Sequence, residues 1–236
     1  MSELVTLLQV LKFDGVKKHF SNPQLIYSGL GEKPTWPSAH GGVFHCRESD
    51  GARQNVAIKK YIEGNKDKQL IESEIITMTK HRHPNILRLQ SIYSYDSCVF
   101  LVTPYYNGGT LQKYCLDNDV ALLQMVFILK RLVAGLAEIH KRGSIHRNIK
   151  CENVFLGEDN SIVIGGFGFS SLKPMIIGES AEEAGDILFW APEICKGKSI
   201  NQMVDIWALG IVVLEILSIG KAPYQDDHLG KEEVRL

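Results

Sequence analysis

The cysteine and histidine side chains are the residues whose type alone could support metal binding or disulfide chemistry. The five cysteines are scattered along the chain, at Cys46, Cys98, Cys115, Cys151 and Cys195. No Cys-x-x-C pair and no paired Cys/His spacing occurs, which argues against a zinc site and against a disulfide framework. We therefore expect free thiols in a reducing compartment. His81 and His83 lie on either side of a predicted helix end and are interpreted as structural residues.

Further residues that could take part in chemistry lie in a series of short sequence runs along the chain. The series opens with Val56-Ala57-Ile58-Lys59, and Glu74 follows the lysine fifteen positions later. The later runs are His83-Pro84-Asn85-Ile86, Tyr105 to Leu111 (Y-Y-N-G-G-T-L), Ile145 to Asn153 (I-H-R-N-I-K-C-E-N), Gly165 to Gly168 (G-G-F-G), Ala191-Pro192-Glu193 and Asp205 to Gly210 (D-I-W-A-L-G). Each run is weak evidence alone, but the order of the whole series is specific.

In this order and spacing the runs resemble the motifs of the protein kinase superfamily, over roughly residues 25–228. The stretches from Lys68 to Glu74 and from Asn153 to Ser170 resemble the sterile-twenty branch, especially its p21-activated group. The resemblance implies an α+β, two-lobed fold with a small β-rich N-lobe and a helical C-lobe. We expect an N-terminal helical extension over 1–24, the N-lobe over 25–105 and the C-lobe over 106–236.

The resemblance also implies roles for individual residues. Lys59 would place its charge against the α- and β-phosphates of ATP, and Glu74 would hold it there. Lys150 would neutralise the moving phosphoryl group, and Asn153 would bind one magnesium ion.

The apolar nucleotide site follows from the same resemblance. Val43, Ala57 and Phe155 would enclose the adenine ring, Thr103 would gate the back of the pocket, and Tyr105 would lie in the hinge. A spine of packed side chains would link the lobes through Met78, His146 and Phe167, with Asp205 anchoring it. These spine residues are needed for core packing whether or not the protein is active.

Two departures from the family pattern remove acidic groups. Asn148 stands where the catalytic aspartate belongs, and an amide cannot accept a proton from a substrate hydroxyl. General-base catalysis contributes about 10²- to 10⁴-fold to a rate, so this loss is severe. Gly166 stands where the metal-binding aspartate belongs and offers no ligand atom, so we expect weak magnesium binding or none.

Two further departures affect phosphate binding and substrate. An ungapped alignment puts Trp36, Ser38 and Gly41 where three glycines belong, and only Gly41 is kept. Glycines let backbone N–H groups approach a phosphate closely, and a bulky Trp36 opposes that approach. An alternative alignment uses Gly29 and Gly31 but needs an insertion, and we prefer the ungapped one. Asp186 replaces a threonine and would repel a substrate phosphoryl group.

Hydrophobic spacing predicts the elements that position these residues. Helices are expected over 2–20, 67–81, 120–141 and 204–219, the last apolar almost all round and so buried on every side. A hairpin is expected from Val43-Phe44-His45-Cys46 and Val56-Ala57-Ile58-Lys59, and two further strands near 86–93 and 98–103. Neither long apolar stretch predicts a membrane span, because one contains Lys130 and Arg131 and the other is too short.

The formal net charge of −1 argues against a nucleic-acid binder that acts through bulk electrostatics. The chain ends at Leu236, whereas the resemblance implies three more helices in the C-lobe. We therefore expect part of the helix over 204–219 to be uncovered, and an exposed apolar patch is typical of a partner surface or an aggregation-prone site.

These features favour a cytoplasmic pseudokinase that acts by contacts with other proteins, such as an active kinase, and transfers no appreciable phosphate. ATP is the cofactor that the resemblance implies. A residual serine/threonine kinase is the alternative, supported by Lys59, Lys150 and Asn153. A metal-independent nucleotide sensor and a poorly folded relic also remain open.

Overall fold

The computed structural model describes Leu8, Phe13 and residues 15–38, 41–49, 53–62, 68–170 and 186–227. The chain divides into two compact units. Unit 1 comprises Met1–Arg82 and Leu87–Tyr105, and unit 2 comprises His83–Ile86 and Tyr106–Leu236. Unit 1 is mostly sheet and unit 2 mostly helix, which confirms the α+β prediction.

Unit 1 contains a six-stranded sheet in the order β1-β5-β6-β4-β3-β2. Its strands are β1 (Lys17–His19), β2 (Tyr27–Ser28), β3 (Val43–Glu48), β4 (Asn55–Ile62), β5 (Ser91–Tyr95) and β6 (Cys98–Pro104). The predicted hairpin is confirmed, because β3 and β4 pair antiparallel with Phe44 opposite Ile58. Both side chains enter a buried cluster with Cys46 and Val56, so the alternating apolar residues form the core face.

The N-terminal segment differs from the predicted helix over 2–20. Lys17–His19 forms β1, which pairs in parallel with β5 and places Lys17 opposite Ser91. Stacking of the His19 ring on Tyr93, with centroids 4.5 Å apart, accompanies this pairing. Backbone pairing along an open sheet edge outweighs the helical spacing at this end, because three consecutive residues find partners on β5. Most of the predicted helix lies outside the described residues.

One of the helices in the described part of unit 1 carries Glu74. Helix α1 (Lys68–Lys80) confirms the prediction for 67–81 and buries Ile71, Ile75 and Met78 on one side. Glu74 lies on the same buried side, which brings a carboxylate into the interior of the unit.

Unit 2 is built around helices. They are α2 (Leu111–Asp117), α3 (Leu122–Lys141), α4 (Pro192–Cys195) and α5 (Met203–Leu217). Helices α3 and α5 confirm the predictions for 120–141 and 204–219. Helix α3 ends at Lys141, and Gly143 follows it with a φ of 76°, the left-handed conformation that favours glycine after a helix.

The prediction that α5 is buried on every side is wrong for one group of its residues. The exposed members are Met203, Ile206, Trp207, Leu214 and Leu217. The opposite side of α5 carries Val204, Ala208, Val212 and Ile216, which are buried. An apolar composition allows a helix to be buried on any side. The elements packed around the helix determine which side is buried.

A short hairpin in unit 2 is formed by β7 (Val154–Leu156) and β8 (Ile162–Ile164). Asn85 fixes this hairpin, since its side-chain Nδ2 donates to the Ile162 carbonyl at 2.8 Å and its own carbonyl accepts from the Ile164 N–H at 3.0 Å. The His83–Ile86 segment therefore belongs to unit 2 through hydrogen bonds to residues far along the chain.

Candidate functional site

One face of the unit 1 sheet carries four of the predicted nucleotide-site residues. Val43 lies opposite Lys59 in the β3–β4 register, and Ala57 lies opposite Thr103 in the β4–β6 register. Residues directly opposite one another project to the same face, and so do residues two apart on one strand. Val43, Ala57, Lys59 and Thr103 therefore share a face. Thr103 is buried, and its hydroxyl donates to the Ala57 carbonyl at 3.3 Å.

Lys59 and Glu74 form the ion pair that the resemblance to the kinase motifs implies. The Lys59 Nζ lies 2.8 Å from the Glu74 Oε2, and the Glu74 side chain is only 5% exposed. The Tyr61 hydroxyl donates a hydrogen bond to the same oxygen. Lys59 also lies over the Tyr61 ring, 4.9 Å from its centroid. Sequence reasoning missed Tyr61, although its position two residues after Lys59 placed it on the same face of β4.

Trp36 and Gly41 are two of the residues that the ungapped alignment places at the glycine-rich loop. The Trp36 and Val43 backbones exchange two hydrogen bonds, of 3.0 and 2.9 Å, which favours the ungapped alignment over the one through Gly29 and Gly31. Gly41 has a φ of 128°, and a Cβ there would lie 2.6 Å from the Lys60 carbonyl oxygen. Only glycine fits this position, which explains why Gly41 is kept.

Aromatic rings surround the predicted hinge residue Tyr105. The His45 ring stacks on Tyr105 with centroids 4.0 Å apart, and the Trp36 ring stacks at 6.2 Å. His45 was not among the predicted site residues, but its place opposite Ala57 in the register puts it on the shared face. A glycine at position 36 could not make the ring contact, so the substitution adds an aromatic group here.

In unit 2, Asp205 organises the loop that carries the predicted catalytic residues. Its carboxylate accepts the His146 and Arg147 backbone N–H groups, each at 2.8 Å, and lies 2.7 Å from the His140 Nε2. Asp205 is fully buried. The predicted contact between His146 and Phe167 is confirmed by a ring centroid distance of 5.0 Å. The loop scaffold of the family is therefore kept, and Met78, the third spine residue, lies in unit 1.

The space that the missing aspartate side chain would need is filled. A Cβ built on Gly166 would lie 2.4 to 2.6 Å from the Cγ, Oδ1 and Nδ2 atoms of Asn153. The Asn153 Nδ2 in turn donates to the Asn148 carbonyl at 2.8 Å, and the Asn148 Nδ2 donates to the Gly166 carbonyl at 3.4 Å. Asn148, Asn153 and Gly166 thus form a neutral hydrogen-bonded cluster, which we call the asparagine cluster.

These residues do not fit a magnesium site. Magnesium binds oxygen ligands, usually through one or two carboxylates, and the asparagine cluster contains none. Among the described residues no group of three or more histidine, cysteine, aspartate or glutamate side chains is arranged to hold a metal ion. The Asn153 side chain, the predicted metal ligand, uses its amide nitrogen within the cluster.

Lys150 is paired with two carboxylates. Its Nζ lies 2.6 Å from the Glu152 Oε2 and 3.4 Å from the Asp186 Oδ2. Burial lowers the pKa of Lys150, but Glu152 and Asp186 raise it by more, so its pKa lies above the ordinary value. Asp186 also accepts the Leu188 backbone N–H at 3.2 Å.

Phe155, the remaining predicted residue, lies on β7 in unit 2. Its ring stacks against Tyr106 with centroids 6.4 Å apart, and its backbone forms a bridge with Thr110. The predicted site residues thus fall into a group on the sheet face of unit 1 and a group around the loop of unit 2. None of the helices among the described residues has the length and apolar character needed to cross a membrane.

Comparison with known proteins agrees with this geometry. The family described as "Protein kinase domain" matches residues 39–235. The chain is 31% identical to the serine/threonine-protein kinase shk1/pak1 of Schizosaccharomyces pombe over 208 residues, which cover 88% of this chain and 31% of that protein.

Two other fungal proteins show similar identity. The serine/threonine-protein kinase CST20 of Candida albicans is 32% identical over 80% of this chain and 15% of its own length. The serine/threonine-protein kinase SMU1 of Mycosarcoma maydis is 31% identical over 96% of this chain and 29% of its own length. The chain thus spans less than a third of the length of each of these relatives.

Proposed function

The chain belongs to the protein kinase family, and on that premise we propose that it is a pseudokinase, a regulatory module that binds proteins and transfers no appreciable phosphate. The relatives reported above are serine/threonine-protein kinases.

The observation that carries the proposal is the position of Asn153. Its amide group lies where the side chain of residue 166 would begin, within 2.6 Å of a Cβ at that position. Loss of the aspartate alone would leave a gap beside Asn153, the predicted metal ligand that remains. Instead, the Asn153 side chain fills the gap and donates to the Asn148 carbonyl. The asparagine cluster is therefore a packed neutral structure in place of a metal site.

The proton-accepting group is lost in the same cluster. The Asn148 Nδ2 donates to the Gly166 carbonyl, and an amide side chain cannot take up a proton at neutral pH. Loss of a general base lowers a rate by about 10²- to 10⁴-fold, before any loss from weak metal binding is added.

Lys150 supports the proposal from the substrate side. Its charge is already balanced by Glu152 and Asp186, at 2.6 and 3.4 Å. A phosphoryl group approaching Lys150 would meet two carboxylates along with the ammonium group, so electrostatic stabilisation of the transferring group is weakened.

The retained features fit a binding role. The Lys59–Glu74 pair and the buried Asp205 network hold the elements of each unit in place. We propose that the partner is an active kinase of the same branch, and that the protein acts in the cytoplasm, where its free cysteines would stay reduced.

Phosphoryl transfer tests the first part of this proposal. We expect purified full chain, incubated with labelled ATP, magnesium and a generic basic protein substrate, to incorporate no more label than its Lys59→Met variant. Incorporation that the Lys59→Met substitution abolishes would refute the proposal and support the alternative, a residual serine/threonine kinase that uses Lys59, Lys150 and Asn153.

A purified active kinase of the p21-activated type tests the second part. Titration of the full chain should change the rate of that kinase in a saturable way, and heat-denatured chain should not. If neither the rate nor the apparent KM of the active kinase changes up to micromolar concentrations, the proposed regulatory role is wrong.

Weak nucleotide binding without metal is the second candidate function, favoured by the intact face that carries Val43, Ala57, Lys59 and Thr103. Binding to the folded state alone raises stability by about 2.7 kcal/mol at one hundred times the dissociation constant. An equal rise in melting temperature with ATP in magnesium and in EDTA would support this function. A rise that requires magnesium would contradict it and favour the residual kinase.

A further inference from the structure

The Glu74 carboxylate in unit 1 has two hydrogen-bond donors from a single strand. Lys59 and Tyr61 are two residues apart on β4 and therefore project to the same face. Both contact the same oxygen of Glu74, which lies in the middle of α1. A carboxylate that is 5% exposed needs such partners, because an unpaired buried charge is strongly destabilising.

We infer that Tyr61 is a positioning residue that holds α1 on the sheet independently of Lys59. The kinase motifs account for the lysine and the glutamate, whereas they assign nothing to the tyrosine. This inference concerns unit 1 alone and does not depend on whether the protein transfers phosphate or binds a partner.

Tyr61 is well placed for this role. Tyr61 is 1% exposed, so its ring is held by packing on all sides. The Lys59 side chain is 29% exposed and has a flexible stem. A rigid buried donor loses little conformational freedom on bonding, so the tyrosine is the more constant of the two anchors.

The Tyr61 ring also acts on the lysine. The Lys59 Nζ lies 4.9 Å from the centroid of that ring, within range of a cation–π contact. Lys59, Tyr61 and Glu74 therefore form a closed group of three, in which each member contacts the other two.

Two anchors on one carboxylate make the position of α1 tolerant to loss of either. Removing Lys59 leaves the tyrosine hydrogen bond, and removing the Tyr61 hydroxyl leaves the ion pair. Lys59→Met should then abolish any chemistry that uses the lysine charge without displacing the helix. The position of α1 would likewise not depend on a bound nucleotide.

Native-state hydrogen exchange of the full chain tests this inference, with the central amides of α1 measured against those of β6. Lys59→Met and Tyr61→Phe should each speed exchange in α1 by about 10-fold or less, whereas the double variant should speed it by about 1000-fold or more. The matched control is Tyr93→Phe, which removes a hydroxyl from another buried tyrosine of the same sheet and should leave the ratio of α1 to β6 exchange unchanged.

The inference is wrong if Lys59→Met alone frees α1 as fully as the double variant, or if the two effects simply multiply. A second measurement avoids the double variant in case it does not fold. Proton NMR of the unsubstituted chain should show a slowly exchanging hydroxyl proton that disappears in Tyr61→Phe and persists in Lys59→Met. Absence of that signal, or its loss in Lys59→Met, would also overturn the inference.

Discussion

Lys59 in unit 1 and Lys150 in unit 2 are the two lysines that the kinase motifs identify, and their surroundings differ. Lys59 faces one buried carboxylate that a tyrosine also binds. Lys150 faces two carboxylates, Glu152 and Asp186, beside a cluster of neutral amides. The first arrangement is a structural anchor of the family with an added donor, whereas the second contains an acidic group that the family pattern does not have.

This difference teaches that the two regions have departed from the family pattern in separate ways. In unit 1 the ion pair is kept and reinforced. In unit 2 the scaffold around Asp205 is kept, but the groups that the scaffold would present to a substrate are replaced. The substituted residues Asn148 and Gly166 pack with the retained Asn153, whose side chain fills the space beside Gly166.

The largest effect is expected for Asp205→Ala. This substitution tests how much the hydrogen bonds of Asp205 contribute to the stability of unit 2. Asp205→Ala removes the acceptor of the His146 and Arg147 N–H groups and the partner of His140. We expect the free energy of unfolding to fall by roughly 3–5 kcal/mol, because buried donors lose their partners.

Urea denaturation of the Asp205 variants measures this effect. Asp205→Asn is the control, since it keeps the shape and one acceptor oxygen and should lose distinctly less stability. A loss below about 1 kcal/mol for Asp205→Ala would show that the network is not a scaffold.

The second prediction tests the packing of the asparagine cluster. Gly166→Asp restores the family residue but places a Cβ against Asn153 in a backbone with a φ of 78°. We expect stability to fall by about 1–3 kcal/mol, and we expect no magnesium-dependent rise in melting temperature with ATP.

Gly143→Asp is the matched control for Gly166→Asp. Gly143 has nearly the same φ, 76°, but nothing lies within 4 Å of its added Cβ. The difference between the two variants therefore isolates the crowding by Asn153. Equal losses of stability in the two variants would mean that Asn153 moves aside freely and that the cluster is not a packed structure.

The third prediction concerns the aromatic group beside Tyr105. Trp36→Ala removes the ring contact with Tyr105 at 6.2 Å and should lower stability by about 0.5–1.5 kcal/mol. Trp207→Ala is the control, because Trp207 is exposed to the same degree as Trp36, 46% against 45%. Thermal denaturation that shows no larger loss for Trp36 than for Trp207 would mean that the stacking contributes nothing.

The smallest effect belongs to Asp186, whose ion pair with Lys150 is partly exposed. Asp186→Asn keeps a side-chain acceptor for the Leu188 N–H but removes the charge. We expect a loss of less than about 1 kcal/mol at pH 7.

The pH dependence of this loss has a definite sign. The pKa of Lys150 is raised in the folded state, so its stabilising contribution is present below the unfolded value of 10.5 and is lost as the pH rises through the folded pKa. The stability difference between wild type and Asp186→Asn should therefore shrink as the pH rises above 10.5. A difference that stays constant across this range would show that the charge of Lys150 is not involved.

Much of the fold was predictable because its signals are local. Apolar spacing along residues 67–81 and 120–141 predicted α1 and α3. Two β-prone runs, around Phe44 and Ile58, with a turn signal between them predicted the β3–β4 hairpin. The strand at Lys17–His19 was not predicted, because its pairing partner β5 begins more than seventy residues later. The structure of a short segment depends more on such a pairing partner than on the segment's own spacing of apolar residues.

The sequence by itself determined the family, the order of the motifs and the absence of two aspartates at positions 148 and 166. Residue identity and spacing are enough for these conclusions. Only the tertiary structure decided that Tyr61 binds Glu74, that Asn153 fills the space beside Gly166, and that Asp186 pairs with Lys150. The physical reason is that each of these contacts joins side chains 13 or more residues apart, whose distance is set by the packing of different elements and not by a local pattern.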